Sequence, residues 1–238
     1  MQTGDMMEIT SRQYDILEIV KKKGKVSVSE LTKILYVSDM TIRRELVRLE
    51  EMRLIKRYHG GAICISDSDL PLPTQMRDKL NENEKRKLAA KAEKYIKDDQ
   101  VIFIDSSSTC SYMSSILKKY KNIRVVTNSV ATMLKFSAEG IGCMATGGEY
   151  YDVDMCFVGE LAIEFISNIN FDVAFFSTSH FDKESKLPYD SALLQTAVRR
   201  AAIKNSNSNI FLYDNTKQIG KSNYLVCKAE FVTDIIVI

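Results

Sequence analysis

The chain has 238 residues, a formal net charge of +2, a hydrophobic fraction of 45% and a charged fraction of 27%, which exclude disordered, collagen-like and coiled-coil classes. Five scattered cysteines without a Cys-x-x-Cys pair indicate reduced thiols, and a count of only two histidines argues against a His/Cys zinc site. Because no apolar run approaches the roughly 18 residues that span a bilayer and the N-terminus lacks a signal-peptide pattern, we expect a cytoplasmic protein with no metal and no membrane partner.

The first 65 residues read as three helices followed by a hairpin. Capping residues, helical spacing and turn residues predict a helix capped by Ser11, helices over 29–35 and 39–51, and strands over 54–58 and 62–65. Ser38 is the expected cap of the third helix, and His59-Gly60-Gly61 is a typical hairpin turn. Three helices and a hairpin are typical of a winged helix-turn-helix DNA-binding domain.

The third predicted helix has a basic outer face. Ile42, Leu46 and Leu49 recur at i, i+4 and i+7, so they bury one face of the helix and turn its arginines outward. Arginine suits this position because its guanidinium matches both guanine edges and phosphate oxygens. The partner we predict is double-stranded operator DNA, with Thr41, Arg43, Arg44 and Arg48 in the major groove and Ser38, Arg57 and His59 on phosphates. The helical spacing supports the exposed face, whereas the division between base and phosphate contacts is a hypothesis.

Residues 66–83 contain two of the three prolines and little apolar periodicity, which predicts a linker between domains 1–65 and 84–238. The charged residues of a helix predicted over 84–97 are expected to form a solvated face. Short apolar strands then alternate with helical segments; they are predicted at 101–104, 123–128, 143–148, 172–177, 210–214 and 234–238. This alternation predicts an α/β domain with a mostly parallel sheet.

Polar clusters follow several of these predicted strands. Ligands of open α/β sheets bind at the carboxyl ends of strands, where hydroxyl groups and free N–H groups suit an anion. Each cluster alone could be an ordinary helix cap, but clusters at successive strand ends favour a site for a small anionic effector. The candidate effector-binding residues are Asp105, Ser106, Ser107, Ser108, Thr109, Thr127, Asn128, Ser129, Gly147, Gly148 and Lys217.

Catalysis has little positive support in the second domain. Acidic side chains such as Asp105 and Asp214 are available for acid-base chemistry, but Gly-x-Ser-x-Gly, P-loop and Gly-x-Gly-x-x-Gly motifs are absent. We therefore predict no enzyme activity, no catalytic residues and no cofactor.

Specific segments resemble the DeoR family of bacterial transcription regulators over nearly the whole chain. In the first domain they are VSVSEL (26–31), VSDMTIRRELVRLE (37–50) and IKRYHGGA (55–62), with Glu45 where aspartate is usual. In the second domain EKRKLAAKA (84–92), VIFIDSSST (101–109), VVTNS (125–129), TGG (146–148) and YDNTK (213–217) follow the family's order.

The resemblance implies a sensor domain related to sugar-phosphate isomerases, which binds a phosphorylated sugar without converting it. It also implies that 106–109 and 127–129 form the phosphate-binding region and that Lys217 matches the lysine of the family's D-x-S-K motif. The chain departs from the family at Ser106 and Ser107, where a glycine is usual, and at Arg199, where a lysine is usual.

These inferences predict a repressor of a sugar-catabolic operon that a phosphorylated sugar releases from operator DNA. Two-fold operator half-sites would require a homo-oligomer, a dimer or a tetramer. Two alternatives stay open: a transcription activator built from the same parts, and a DNA-binding protein that retains sugar-phosphate isomerase activity.

Overall fold

The computed structural model describes residues 10–52, 54–64, 74–79, 81–182, 184–214 and 222–238. The chain forms two compact units, Met1–Leu72 and Pro73–Ile238. The predicted linker crosses this boundary: residues 66–73 lie outside the described ranges, whereas Thr74–Lys79 is a helix of the second unit. Within the described ranges, no helix is both long and apolar enough to cross a membrane.

The first unit has the predicted winged helix-turn-helix order. Its elements are α1 (Ser11–Lys23), β1 (Lys25–Ser27), α2 (Val28–Leu35), α3 (Asp39–Glu51), β2 (Ile55–Tyr58) and β3 (Gly61–Cys64). The strands form an antiparallel sheet in the order β1-β3-β2. The prediction that Ser11 caps α1 is wrong, because the Thr10 hydroxyl accepts the Gln13 N–H at 3.3 Å and Ser11 is already helical.

A buried polar contact locks α1 against α3. Ile42, Leu46 and Leu49 are buried as predicted, but Glu45 between them is also buried, with 3% of its surface exposed. Its carboxylate accepts a 2.7 Å hydrogen bond from the Gln13 amide and lies 3.5 Å from the Arg12 guanidinium. Because this contact joins the middle of α3 to the start of α1, it fixes which face of α3 points outward.

The second unit is built on a six-stranded parallel sheet, as predicted. Its helices are α4 (Thr74–Lys79), α5 (Glu82–Ala92), α6 (Ser114–Leu117), α7 (Val130–Ala138), α8 (Glu160–Ser167) and α9 (Leu193–Lys204). Its strands are β4 (Val101–Ile104), β5 (Arg124–Thr127), β6 (Cys143–Ala145), β7 (Glu149–Tyr151), β8 (Cys156–Val158), β9 (Val173–Phe176), β10 (His180–Asp182), β11 (Leu187–Asp190), β12 (Asn209–Tyr213), β13 (Tyr224–Leu225) and β14 (Asp234–Val237). The main sheet has the order β14-β12-β9-β4-β5-β6.

Both faces of this sheet are covered by apolar side chains. The alternation along β4 sends Ile102 and Ile104 into the core that contains Leu88 of α5, and Phe103 into the core that contains Ile166 of α8. Ile104 pairs with Thr127 on one side and with Phe175 on the other. The loops after β4, β5 and β9 therefore leave the sheet at the same level, which we call the carboxyl edge.

A buried arginine holds the loops of the carboxyl edge together. Arg199 of α9 donates from Nε to Asp105 at 3.0 Å, from Nη1 to Asp190 at 2.8 Å and from Nη2 to the Gln195 side-chain oxygen at 3.1 Å. Burial lowers the pKa of Arg199, but Asp190 and Asp105 outweigh that effect and raise it above its ordinary value. The Asp105 carboxylate also accepts the Ser107 and Ser177 N–H groups, so both of its oxygens are engaged.

Replacing Arg199 by methionine should strongly destabilise the second unit. Removing one partner of a buried ion pair leaves uncompensated charge, here on Asp105 and Asp190, and costs about 3–5 kcal/mol of unfolding free energy. The matched control is Lys204→Met, at an exposed lysine of the same helix, which should change that free energy by less than ~0.5 kcal/mol. Urea unfolding followed by circular dichroism measures both variants, and a cost below ~1 kcal/mol for Arg199→Met would contradict the structural role given to this network.

Candidate DNA-binding face and effector site

The outer face of α3 carries the predicted arginines. Arg43, Arg44 and Arg48 are exposed, whereas Thr41 is half-buried. The Ser38 hydroxyl accepts the Thr41 N–H at 3.3 Å and lies 2.9 Å from the Thr41 hydroxyl, which confirms Ser38 as the cap of α3. The positive end of the α3 dipole and three exposed guanidinium groups thus belong to one short segment, as binding to a polyanion requires.

The hairpin of the first unit places His59 at its exposed turn and ties its first strand to α3. Arg57 donates from its backbone N–H to Glu50 at 2.9 Å and from Nε to the same carboxylate at 2.6 Å. These bonds lower the pKa of Glu50 below its ordinary value. Gly61 is required where β3 passes β1, because a Cβ there would lie 2.2 Å from the Val26 carbonyl oxygen. Arg57 is therefore paired in the free protein, and a phosphate would have to compete with Glu50 for it.

The predicted effector-binding side chains lie together at the carboxyl edge. Eight of them have 5% or less of their surface exposed, and so has the nearby Thr146; the eight are Asp105, Ser106, Ser107, Ser108, Thr109, Thr127, Asn128 and Ser129. Ser129 also caps α7, as the simpler interpretation expects, because its hydroxyl accepts the Thr132 N–H at 3.0 Å. The Ser107 hydroxyl accepts the Cys110 N–H at 3.2 Å. Burial of so many polar groups in one place is what an enclosed polar site needs.

Three predicted effector-binding residues remain: two glycines in the loop after β6, and one lysine. Gly147 and Gly148 follow β6 with positive φ angles of 66° and 114°. A Cβ on Gly148 would lie 2.6 Å from the Val158 carbonyl oxygen, so this glycine is needed for loop packing whatever else it contacts. Lys217 lies outside the described residues.

A buried lysine that the sequence motifs do not indicate lies at the same edge. The prediction that the charged residues of 84–97 are solvated is wrong for Lys85 of α5, because it is only 3% exposed. Its ammonium group donates to the Ser108 hydroxyl at 3.1 Å, to the Arg77 carbonyl and to the Asp78 carbonyl at 3.4 Å. The helical spacing does predict this burial, because Lys85 shares the i, i+3, i+4, i+7 pattern of the buried Leu88, Ala89 and Ala92.

A second lysine joins the same cluster from α7. Lys135 donates to the Asp78 carboxylate at 3.2 Å and to the Ser111 hydroxyl at 3.0 Å, and its ammonium group lies 3.5 Å from the centroid of the Tyr112 ring. Ser111 and Tyr112 in turn donate to the side chain and the carbonyl of Asp78 at 3.0 and 2.8 Å. Burial raises the pKa of Tyr112, and nearby Asp78 raises it further, so its hydroxyl stays a donor.

The short helix α4 therefore connects to the carboxyl edge at both of its ends. Its C-terminal residues bind Lys85, Lys135 and the loop after β4, as described above. Its first residue, Thr74, donates its N–H to the Val153 carbonyl at 3.3 Å, and Arg77 pairs with the buried Asp154. Asp154 also accepts a hydrogen bond from Gln195, which links α4 to the Arg199 network.

Two family models match the chain in the order of its two units. The model described as the DeoR-like helix-turn-helix domain matches residues 12–68. The model described as the DeoR C terminal sensor domain matches residues 80–237, which is more than half of the chain. The matches bear out the resemblance that the sequence motifs indicated.

Curated relatives match over most of their own length. The glycerol-3-phosphate regulon repressor of Escherichia coli (strain K12) is 34% identical over 89% of this chain and 83% of that protein. The lactose phosphotransferase system repressor of Lactococcus lactis subsp. lactis is 34% identical over 87% of this chain and 82% of that protein. The HTH-type transcriptional regulator YulB of Bacillus subtilis (strain 168) is 32% identical, with 89% and 81% covered.

The names of these relatives are those of regulators and repressors, which supports the prediction that this chain is not an enzyme.

Among solved structures, a ribose 5-phosphate isomerase from Plasmodium falciparum overlaps 60% of this chain and 55% of its own, at a TM-score of 0.43 and 17% identity. That overlap is too partial to support an inference about activity. The chain belongs to the DeoR family of transcription regulators, with a DNA-binding helix-turn-helix domain followed by a sensor domain.

Proposed function

We propose that this protein represses a sugar-catabolic operon and leaves the operator when a small phosphorylated sugar binds the sensor domain. The observation that carries this proposal is the pair of lysines, Lys85 and Lys135, held among buried hydroxyl groups at the carboxyl edge. Cations and hydroxyl donors enclosed together suit a phosphate group. The relatives named as repressors of a glycerol-3-phosphate regulon and of a lactose phosphotransferase system favour repression over activation.

On the DNA side, α3 enters the major groove of the operator. Thr41, Arg43, Arg44 and Arg48 face the bases and nearby phosphates, while Ser38, Arg57 and His59 hold the backbone. A two-fold operator is read by a dimer or a tetramer of this chain, and a bacterial operator places the protein in the cytoplasm.

On the effector side, the phosphate group competes with α4 for the Lys85 ammonium group. A doubly charged phosphate is a stronger acceptor than the neutral carbonyl groups of Arg77 and Asp78, which accept from Lys85 in the free protein. Ser106–Thr109, Thr127–Ser129 and Lys217 supply the other phosphate contacts. When Lys85 turns to the effector, the last turn of α4 loses its donor and is weakened.

Weakening α4 can change DNA binding, because α4 directly follows the segment that joins the two units. The DNA-bound arrangement of the heads then has a lower affinity for effector than the released arrangement does. A difference of about 1–3 kcal/mol between the two states is typical of such coupling.

Replacing Arg44 by alanine should weaken operator binding about tenfold or more and reduce the salt dependence, because the variant loses a base or phosphate contact. Lys22→Ala, at an exposed lysine of α1 in the same unit, removes the same charge away from α3 and should have a much smaller effect. Fluorescence anisotropy with labelled upstream DNA at several salt concentrations measures both variants. Unchanged affinity and an unchanged salt slope for Arg44→Ala would contradict the recognition face.

Replacing Lys85 by methionine should weaken operator binding without effector, because the last turn of α4 loses its donor. It should also raise the effector concentration needed for the remaining release at least tenfold, because the phosphate loses a charge-assisted hydrogen bond worth about 1.5–3 kcal/mol. Methionine keeps the apolar stem of the buried lysine. The control is Lys87→Met on the exposed face of α5, which should respond like the wild type.

The measurement is a titration of the operator complex with ribose 5-phosphate, glucosamine 6-phosphate and related sugar phosphates. Release of Lys85→Met at the wild-type concentration of the active compound would contradict the proposed effector site. Ser108→Ala, which removes the hydroxyl partner of Lys85, should show a smaller shift in the same direction.

A further inference from the structure

Two large apolar side chains stand exposed beside the recognition helix. Tyr36, between α2 and α3, has 92% of its surface exposed, and Met40, the second residue of α3, has 81% exposed. By contrast, Leu31 and Ile42 of the same unit are completely buried, and Ile34 of α2 is 42% exposed. Within the described ranges, the Tyr36 ring has neither a hydrogen bond nor an aromatic contact.

The backbone at Tyr36 is unfavourable for a tyrosine. Its φ and ψ angles are 54° and 40°, in the left-handed region where the Cβ of an L-residue is crowded. Glycine or asparagine takes this conformation at the end of a helix at lower cost. Because the exposed ring gains no packing in return, the stability of the fold does not account for a tyrosine here. A partner that covers the ring would account for it.

The surroundings indicate which partner that is. Met40, Arg43 and Arg44 are spaced i, i+3 and i+4, so they share one face of α3, and all three are exposed. Tyr36 and Met40 lie on either side of Ser38 in the sequence, at the N-terminal end of α3. In helix-turn-helix proteins that end of the recognition helix reaches the base edges. Apolar side chains continuous with a basic face match DNA, which has both phosphates and thymine methyl groups.

We propose that Tyr36 and Met40 are DNA contacts. Met40 packs against the 5-methyl group of a thymine in the major groove, and Tyr36 packs against the neighbouring sugar-phosphate backbone and donates its hydroxyl to a phosphate oxygen. This inference rests on the recognition face proposed above. It adds a specificity element to that face, since each half-site of the operator then contains a thymine that the protein reads by its methyl group.

The first experiment separates binding from stability at position 36. Tyr36→Gly and Tyr36→Asn in the full chain should unfold at the wild-type temperature or a few degrees higher, because they relieve the left-handed strain. Both should bind the operator at least fivefold more weakly, and Tyr36→Phe should fall between them and the wild type. Unchanged affinity, or a lower unfolding temperature in both variants, would overturn the role given to Tyr36.

The second experiment tests Met40 with single thymine-to-deoxyuridine replacements along the operator, each of which removes only a methyl group. The wild type should lose about fourfold in affinity at one position per half-site, the value of one buried methyl group. Met40→Ala should bind more weakly and show no further loss at that position, whereas Met144→Ala, at an exposed methionine of the second unit, should behave like the wild type.

A loss at the same position in Met40→Ala as in the wild type would overturn the assignment of Met40 while leaving the recognition face intact. Failure of the wild-type protein to bind any DNA selected from a random pool would instead contradict the recognition face, and this inference with it.

Discussion

The buried ammonium group of Lys85 joins the C-terminal end of α4 to the loop after β4. Lys85 can be buried because oxygens offset its charge, among them one on the loop after β4 and two at the C-terminal end of α4. An unpaired ammonium group in that place would cost several kcal/mol, so whatever displaces the α4 carbonyls must supply oxygens of its own. Under the proposed function, this constraint would favour an anion with several acceptor oxygens and would couple that anion to the helix that follows the DNA-binding unit in the chain.

The Arg199 network holds the other part of the carboxyl edge in a fixed arrangement. Arg199, Asp105, Asp190 and Gln195 satisfy one another within the protein, so they position the loops, and the role left to Asp105 is to hold the loop after β4 in place. On the other side of the edge, several of the oxygens that pair with Lys85 and Lys135 belong to the six-residue helix α4. A sensor needs both parts: a fixed frame that keeps the phosphate loops in register, and a replaceable partner whose displacement changes the protein. The serines at 106 and 107 and the arginine at 199 fit a frame in which side-chain bonds replace the usual glycine and lysine of the family.

Local sequence signals predicted the parts of the fold that local physics determines. The cap at Ser38 and the spacing of Ile42, Leu46 and Leu49 gave the bounds of α3, and the apolar run at 101–104 gave β4. The contacts that build the site join residues far apart in the chain, with Asp105 and Arg199 separated by 94 positions and Asp154 and Gln195 by 41, and a single sequence carries no record of such pairs. The burial of Lys85 could have been predicted, because Lys85 shares the spacing of the buried face of α5. The many other charged residues of that helix instead favoured a fully solvated polar face. The left-handed backbone at Tyr36 could not be predicted from the sequence, since tyrosine is not a residue that usually adopts this conformation.

Hydrogen exchange can show whether effector binding weakens α4. The full-length protein bound to operator DNA would be compared with the same complex after addition of the sugar phosphate that releases it, and exchange would be followed in peptides covering 74–79 and 101–117. We expect faster exchange of the α4 amides together with slower exchange in the loop after β4, because the phosphate takes the Lys85 ammonium group from α4 and orders the loop. Slower exchange in the loop with unchanged or slower exchange in α4 would contradict it, because the effector would then bind without displacing the helix.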